Sequence, residues 1–272
     1  MKTTHTENHP ILFLDSGIGG IPYCRNFLER NPGQNVVYLA DRQHFPYGKR
    51  KPDELAEIVV GLVGQIAKSI NIKIVILACN TATIACLSRL RKSFPALSFV
   101  GTVPAVKPAS LASKTKKIGV LGTEITIREP YIRELAARHG GGEIIGIAAP
   151  ELVEFVEDRL DSSSDKEKRA MAKSYLDRFR KEGVDVIVLG CTHFLFLLEE
   201  FRGEAVDDIT VFESVGGISA RIESLLDKDD VPVQTSRPAQ NLLLLTGNSA
   251  PETSWTQWAD RLGFKLLLLE EL

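Results

Sequence analysis

The sequence predicts an α/β protein with two doubly wound, mostly parallel sheets. Short apolar runs rich in Ile, Val and Leu recur along the chain, and amphipathic stretches of helical period separate them. Within these runs apolar and polar residues do not alternate, which is typical of strands covered on both faces of a parallel sheet. The runs are too numerous for one open sheet, so we expect two sheets in two domains.

Each apolar run is predicted as one strand. The longest predicted helices cover residues 52–70 and 166–181, and Ser162-Ser163-Ser164-Asp165 is predicted as a loop and N-cap before the second of them. Residues 228–240 are polar and contain two prolines, which predicts a surface loop before the final strands. The predicted strands are residues 11–14, 36–40, 74–78, 99–103, 118–121, 144–148, 186–189, 210–212, 242–245 and 265–269.

Two places are suited to carry the chain from one domain to the other. Thr102-Val103-Pro104 ends a predicted strand, and Pro104 is a residue that can open a helix. Val215-Gly216-Gly217 is predicted to carry the chain back to the first domain. We therefore predict a discontinuous first domain of residues 1–102 and 215–272, with residues 103–214 as the second domain.

Composition indicates an ordinary globular protein. Of 272 residues, 44% are hydrophobic and 25% are charged, with a net charge of -2. This balance does not suggest binding to nucleic acid or to a membrane surface. Residues 1–10 lack the apolar stretch of a signal peptide, and no run of about 18 apolar residues indicates a transmembrane helix. The expected location is the cytoplasm.

The cysteines do not form a recognisable zinc or redox motif. Cys24, Cys79, Cys86 and Cys191 include no C-x-x-C pair. In the cytoplasm these thiols are expected to stay reduced. Cys24 and Cys86 fall inside predicted helices and are interpreted as core residues.

The first motif is Asp15-Ser16-Gly17-Ile18-Gly19-Gly20, which directly follows a predicted strand. Such a loop lets backbone N–H groups approach a carboxylate or phosphate at a helix N-terminus. A dinucleotide fingerprint would require glycine at position 22, where this chain has Pro22, so a nicotinamide site is disfavoured. A tight turn between strand and helix explains the motif equally well.

Two further motifs place a thiol after a predicted strand. They are Ala78-Cys79-Asn80-Thr81-Ala82 and Gly190-Cys191-Thr192-His193. Ligands bind at the carboxyl ends of strands in open α/β sheets, and the polar residues of both motifs offer donors to an anion. His193 adds a group that can orient or transfer a proton. Taken alone, each cysteine is explained as a small buried residue, and a metal site lacks ligands at recognisable spacing.

Two thiols in similar positions favour proton transfer at both faces of one carbon. Inverting a stereocentre requires one group that removes a proton and another, on the far face, that returns one. A thiolate is a good base once its pKa falls below the usual value of about 8.5, and placed donors must stabilise the carbanion-like transition state. A cysteine hydrolase would need only one thiol and one histidine. The residues themselves leave a Schiff-base lysine open.

These three motifs resemble the signature blocks of the glutamate racemases, a branch of the aspartate/glutamate racemase superfamily. The resemblance runs in order from about Ile11 to Leu262. Further matching segments are Pro46-Tyr47-Gly48, Gly119-Val120-Leu121-Gly122-Thr123 with Thr126, residues 150–157, and Thr246-Gly247.

The resemblance implies a racemase that interconverts L- and D-glutamate, without cofactor or metal, and supplies D-glutamate for peptidoglycan. It implies two domains related by a pseudo-two-fold axis, an active site in the cleft between them, and a homodimer. Cys79 and Cys191 would be the acid/bases, with Asp15 assisting Cys79, and His193 and Glu157 on the Cys191 side. The implied substrate-binding residues are Asp15, Ser16, Pro46, Tyr47, Gly48, Asn80, Thr81, Thr123, Thr126, Thr192 and His193.

Other readings and departures from the family pattern stand beside this one. A racemase for aspartate or another acidic amino acid is the alternative, although His193 favours the glutamate branch. A binding protein on a racemase scaffold would not need both thiols, and Pro22 argues against an oxidoreductase. The chain departs from the family at Phe194-Leu195-Phe196, at Ala149 and at Glu213-Ser214.

Overall fold

A computed structural model describes residues 9–206, 208–226 and 240–272 of the chain. The chain folds as two compact units: Met1–Thr102 joins Val215–Leu272 in the first, and Val103–Ser214 forms the second. The predicted loop at 228–240 lies, except for Gln240, outside the described residues. Across these described ranges, no helix has the length and apolar character needed to cross a membrane.

The structure alternates strands and helices along the described chain. The strands are β1 Ile11–Asp15, β2 Val36–Ala40, β3 Ile74–Leu77, β4 Ser98–Gly101, β5 Lys117–Gly122, β6 Glu143–Ala148, β7 Val186–Gly190, β8 Thr210–Phe212, β9 Leu242–Leu245 and β10 Lys265–Leu268. The α-helices are α1 Ile21–Arg30, α2 Pro52–Ser69, α3 Asn80–Ser93, α4 Val106–Ala112, α5 Glu124–Arg128, α6 Pro130–Arg138, α7 Pro150–Arg159, α8 Asp165–Lys181, α9 Leu198–Glu204, α10 Val215–Leu226 and α11 Thr253–Leu262.

The first unit contains a parallel sheet in the order β10-β9-β2-β1-β3-β4. Every residue of β1, β2 and β3 is buried, as the unalternating apolar runs predict. Leu12 and Leu14 pack into one apolar cluster with α2 and α3. Phe13 meets Phe27 of α1, with 5.8 Å between the ring centroids. Because successive side chains of a strand point to opposite faces, helices cover both sides of this sheet.

The second unit contains a parallel sheet in the order β6-β5-β7-β8. Ile118 and Val120 of β5 pack into an apolar cluster with α4 and α6. Between them, Gly119 lies against α8, where a Cβ atom would come 2.8 Å from the ring of Phe179. This sheet is therefore also covered on both faces. The predicted fold class, α/β with two sets of parallel strands, is confirmed.

The structure corrects several predicted boundaries. The strand predicted at 99–103 is Ser98–Gly101, and Val103 is partly exposed. Pro104 does not open a helix, because α4 begins at Val106 after Ala105 as its N-cap. The carbonyl of Pro104 instead accepts a hydrogen bond from the N–H of Val106 at 2.7 Å. The N-cap predicted within residues 162–165 is confirmed: it is Ser164, whose side chain forms a capping box with that of Glu167.

Candidate active site

The parallel register of the first sheet brings three strand ends to one edge. Asp15 lies opposite Ala40, and Leu14 lies opposite Leu77. The chain continues these ladders for one residue: the N–H of Asp41 donates to Asp15 O at 2.8 Å, and that of Ala78 donates to Leu14 O at 2.8 Å. The residues that follow β1, β2 and β3 therefore leave the sheet side by side, at the edge where α/β proteins bind ligands.

The loop after β1 is held by buried contacts. Asp15 is fully buried, and its carboxylate accepts hydrogen bonds from the N–H and the hydroxyl of Ser16. The Tyr38 hydroxyl donates to the carbonyl of Gly17 at 2.8 Å. Gly20 approaches the end of β3 so closely that a Cβ atom there would lie 2.7 Å from the Cβ of Ala78. The first motif thus needs glycine at position 20 for packing against the Cys79 segment.

We expect Gly20→Ala to destabilise the protein by about 1–3 kcal/mol, because the added methyl group overpacks a rigid backbone contact. The displaced loop should also lower kcat/KM, since it carries Asp15 and Ser16. Gly61→Ala is the matched control: Gly61 is exposed on α2, and a Cβ atom there would meet nothing within 4 Å. That variant should gain about 0.5–1 kcal/mol from helix propensity. Urea unfolding measures the stability changes of the two variants, and equal stability of Gly20→Ala and Gly61→Ala would contradict this account.

Cys79 lies at the N-terminus of α3. It is the N-cap residue, with extended backbone angles of φ -147° and ψ 121°, and its side chain is largely buried. Asn80 and Thr81, the first helical residues, are buried beside it. The N–H groups of the first turn and the dipole of this 14-residue helix favour a negative charge at this end. A thiolate and a substrate carboxylate would both gain from this position.

The predicted substrate loop Pro46-Tyr47-Gly48 lies at the same edge of the first unit. Tyr47 is fully buried, and its hydroxyl donates to Oδ2 of Asp41 at 2.8 Å. Burial, followed by the negative charge of Asp41 and this hydrogen bond, raises the pKa of Tyr47 well above its usual value. The charges of Cys79 and Asp15 contribute in the same direction. Tyr47 therefore lies in the electrostatic environment of both predicted catalytic groups of this unit.

Cys191 occupies the corresponding place in the second unit. Gly122 of β5 lies opposite Gly190 of β7, so Thr123 and Cys191 follow neighbouring strands at one edge. Cys191 is buried and caps a short 3₁₀ helix, Thr192–Leu197. Thr123 caps α5 by accepting a hydrogen bond from the N–H of Thr126. Thr126 is wholly buried, and its hydroxyl lies 3.1 Å from that of Thr123, so it supports the position of Thr123.

A histidine joins Cys191 to a carboxylate. Nδ1 of His193 lies 3.8 Å from Sγ of Cys191, and Nε2 lies 2.6 Å from Oε1 of Glu157 on α7. Burial by itself lowers the pKa of His193, but the hydrogen bonds and charges of Cys191 and Glu157 outweigh it and raise the pKa well above its usual value. The imidazolium form is therefore favoured at neutral pH. A charged imidazole beside Cys191 can orient the thiol and pass a proton to or from it.

The structure thus groups the sequence-predicted residues by unit. The first unit brings Asp15, Ser16, Tyr47, Cys79 and Asn80 to one sheet edge, together with Thr81, Pro46 and Gly48. In the second unit Thr123, Glu157, Cys191, Thr192 and His193 share an edge, with Thr126 beneath. In the part of the chain that the structure describes, no cluster of three or more His, Cys, Asp or Glu side chains is arranged to hold a metal ion.

Sequence reasoning missed two residues of the first edge. Asp41 follows β2 and contacts Tyr47, and Tyr38 holds the backbone of the first motif. The position of Asp41 at the carboxyl end of a predicted strand was the signal that could have identified it. Tyr38 has no such signal, because an aromatic residue within an apolar strand is expected to be core.

Known proteins resemble this chain in sequence and fold. A family model for Asp/Glu/hydantoin racemases matches residues 24–216. Curated glutamate racemases from Roseiflexus sp. (strain RS-1) and Sphingopyxis alaskensis are 38% and 39% identical to it over 221 residues. These matches cover 80% of this chain and 80% and 82% of the two relatives.

Solved structures give the same picture. Escherichia coli glutamate racemase, crystallised with L-glutamate and the activator UDP-MurNAc-Ala, superposes with a TM-score of 0.82 and 27% identity, covering 96% of this chain and 97% of that one. Glutamate racemase from Aquifex pyrophilus superposes with a TM-score of 0.70 and 25% identity, covering 96% and 98% of the two chains. The resemblance found in the motifs is confirmed, and the chain belongs to the Asp/Glu/hydantoin racemase family.

Proposed function

We propose that this protein is a glutamate racemase that inverts the Cα of glutamate with two thiols, Cys79 and Cys191. The observation that carries the proposal is the similar placement of the thiols: Cys79 caps α3 with one residue between it and β3, and Cys191 caps a 3₁₀ helix immediately after β7. The relatives that match about four fifths of the chain are glutamate racemases, which supports an amino-acid racemase activity.

In the proposed reaction each thiol serves one face of the substrate carbon. Cys79 as thiolate removes the Cα proton of D-glutamate, and the thiol of Cys191 delivers a proton to the opposite face, which yields L-glutamate. The reverse reaction exchanges these duties. Asp15 assists Cys79, while His193, held by Glu157, supplies or accepts the proton that restores Cys191. The net result is one proton removed and one returned, with no change in oxidation state.

Donors near the two thiols would bind the charged substrate. We assign this role to Ser16, Asn80 and Thr81 with the backbone at the start of α3, to the 46–48 loop, and to Thr123 and Thr192 in the second unit. Their task is to stabilise the carbanion-like transition state, because the Cα–H of an amino acid is much less acidic than a thiol. The proposal needs no cofactor or metal. It includes a cytoplasmic homodimer that supplies D-glutamate for peptidoglycan and binds neither nucleic acid nor membrane.

We expect the purified protein to racemise L- and D-glutamate without any added cofactor. Circular dichroism would follow the loss of optical activity from each enantiomer, with L-aspartate as the comparison substrate. The two enantiomers have equal free energy, so kcat/KM must be equal in the two directions, which is an internal check. Dialysis against a chelator should leave the rate unchanged. A rate lost on dialysis and restored by a metal, or faster turnover of aspartate, would overturn the assignment.

A further inference from the structure

A buried carboxylate that the reaction does not use lies beside the Cys79 segment. Asp41 follows β2 directly and is fully buried. Its Oδ1 accepts from the Thr246 hydroxyl at 2.7 Å and lies 2.8 Å from Nδ1 of His44, while its Oδ2 accepts from the Tyr47 hydroxyl at 2.8 Å. A buried carboxylate is costly unless such partners replace its lost water. The Asp41 carboxylate therefore depends on all three side chains, and its hydrogen bonds hold them in place.

The three partners come from two separate segments of the first unit. His44 and Tyr47 belong to the segment after β2, whereas Thr246 follows β9, which pairs with β2. The N–H of Gln43 also donates to the Thr246 hydroxyl at 3.1 Å, and Nε of Arg42 donates to its carbonyl at 2.8 Å. The chain after β9 is thus fastened to the substrate loop, and Asp41 is the acceptor that joins them.

Tyr47 connects this group to the thiol. Tyr47 and Cys79 pack in the same buried apolar cluster, and the negative charge of Cys79 contributes to the raised pKa of Tyr47. The Tyr47 hydroxyl donates a hydrogen bond to Asp41, so the orientation of the Tyr47 side chain depends on that carboxylate. If Asp41 were lost, the loop 46–48 would lose its anchor, and the packing of Tyr47 in the apolar cluster that contains Cys79 would loosen.

We propose that Asp41 is a positioning residue for the Cys79 side of the active site. It acts through Tyr47 and Thr246, and it touches neither the substrate nor the thiol. The expected effect of Asp41 on substrate binding applies only if the protein is a racemase, so that part of the inference rests on the proposed function. The structural part, that Asp41 determines how far Cys79 is enclosed, stands on contacts within one unit.

The test compares Asp41→Asn with a matched control in the second unit. Asp185 is also a carboxylate that holds a turn: it accepts from the Ser113 hydroxyl at 2.7 Å and from the N–H of Lys114 at 2.7 Å. It precedes β7, at the end of the strand away from Cys191. Asp185→Asn should lower Tm and leave KM unchanged. Asp41→Asn should raise KM for both glutamate enantiomers by ~10-fold or more, because the side chain loses its charge and one of its two acceptor oxygens becomes an amide nitrogen, which cannot accept.

A second readout requires no enzymatic activity. Iodoacetamide labelling, followed by mass spectrometry of the two thiol peptides, should show faster alkylation of Cys79 in Asp41→Asn and an unchanged rate at Cys191. Thr246→Val, which removes one hydroxyl and keeps the side-chain shape, should give the same changes to a smaller extent, about threefold in KM. If Asp41→Asn does not fold, Thr246→Val provides the test in its place.

The outcomes separate the inference from the proposed function. A wild-type protein that does not racemise glutamate contradicts the proposed function, and the labelling rates then still decide the inference. Folded Asp41→Asn or Thr246→Val protein with an unchanged Cys79 labelling rate overturns the inference. So does an active Asp41→Asn variant whose KM equals that of the wild type, or an Asp185→Asn variant that changes KM as much as Asp41→Asn does.

Discussion

Replacing Cys79 or Cys191 by alanine is expected to lower racemisation in both directions by ~10³-fold or more, because inversion needs an acid/base on each face of the carbon. Cys86→Ala is the matched control. Cys86 lies on the same helix as Asn80 and Thr81, and burial raises the pKa of its thiol to about 12, so it is not a base at neutral pH. Its loss should leave kcat/KM unchanged. Circular dichroism with each enantiomer measures the racemisation rate of the three variants.

Serine variants separate the duties of the two thiols. A serine hydroxyl still donates a proton but is a much poorer base than a thiolate. With a glutamate analogue that carries a leaving group on Cβ, removal of the Cα proton is followed by elimination, and no second acid is needed. By family resemblance Cys79→Ser should keep elimination from the L-enantiomer and lose it from the D-enantiomer, and Cys191→Ser should do the reverse.

Two results would contradict the two-thiol scheme. One is that both serine variants lose elimination from the same enantiomer. The other is that Cys191→Ser keeps full racemisation, in which case a single-thiol mechanism around Cys79 would have to replace the scheme. Unequal values of kcat/KM for the two directions in any variant would instead indicate an error in the assay, since the equilibrium between enantiomers is fixed at unity.

Glu157→Gln is expected to lower kcat by ~10²-fold, because it removes the carboxylate that, together with Cys191, keeps His193 as an imidazolium. The pKa of His193 should then fall, because burial lowers it and only Cys191 still raises it. Activity of the variant should therefore decline at a lower pH than activity of the wild type as the pH is raised. Asp158→Asn, an exposed neighbour on α7, is the control and should behave like the wild type.

The same pair contributes to stability with a definite pH dependence. The pKa of His193 is raised in the folded protein, so the contribution is fully present below the unfolded value of about 6.5 and is lost as the pH rises through the raised folded value. The free energy of unfolding of the wild type should exceed that of Glu157→Gln most clearly near pH 6. Equal pH profiles for the two proteins, in activity and in stability, would remove His193 from its proposed role.

The sequence predicted the architecture and the placement of the thiols for reasons that are local. Unbroken runs such as Ile74–Leu77 belong to strands buried on both faces, and a cysteine just beyond the end of such a run lies at the carboxyl end of the sheet. Element ends were less predictable. Pro104 was expected to open a helix, yet the backbone passes through Ala105 before α4 begins, a choice that depends on tertiary packing.

Contacts between distant segments explain what the sequence did not reveal. His44 shows no metal-ligand spacing in the sequence, and its carboxylate partner Asp41, three residues earlier, is in turn bonded to Thr246, far along the chain. Glu157 reaches His193 from a different helix, and only family resemblance indicated that pairing. Local patterns contain no information on such pairs, because strand order brings them together.

The order of strands in the first sheet has a consequence for biosynthesis. β9 lies between β2 and β10, so one hydrogen-bonding edge of β2, with the sequence Val-Val-Tyr-Leu-Ala, stays open until residues 242–245 have left the ribosome. The strands of the second sheet all come from the continuous segment Val103–Ser214, which is synthesised earlier. The nascent chain must therefore protect an apolar, unpaired edge while the second unit is made, and that interval is when strand-to-strand aggregation is the main hazard.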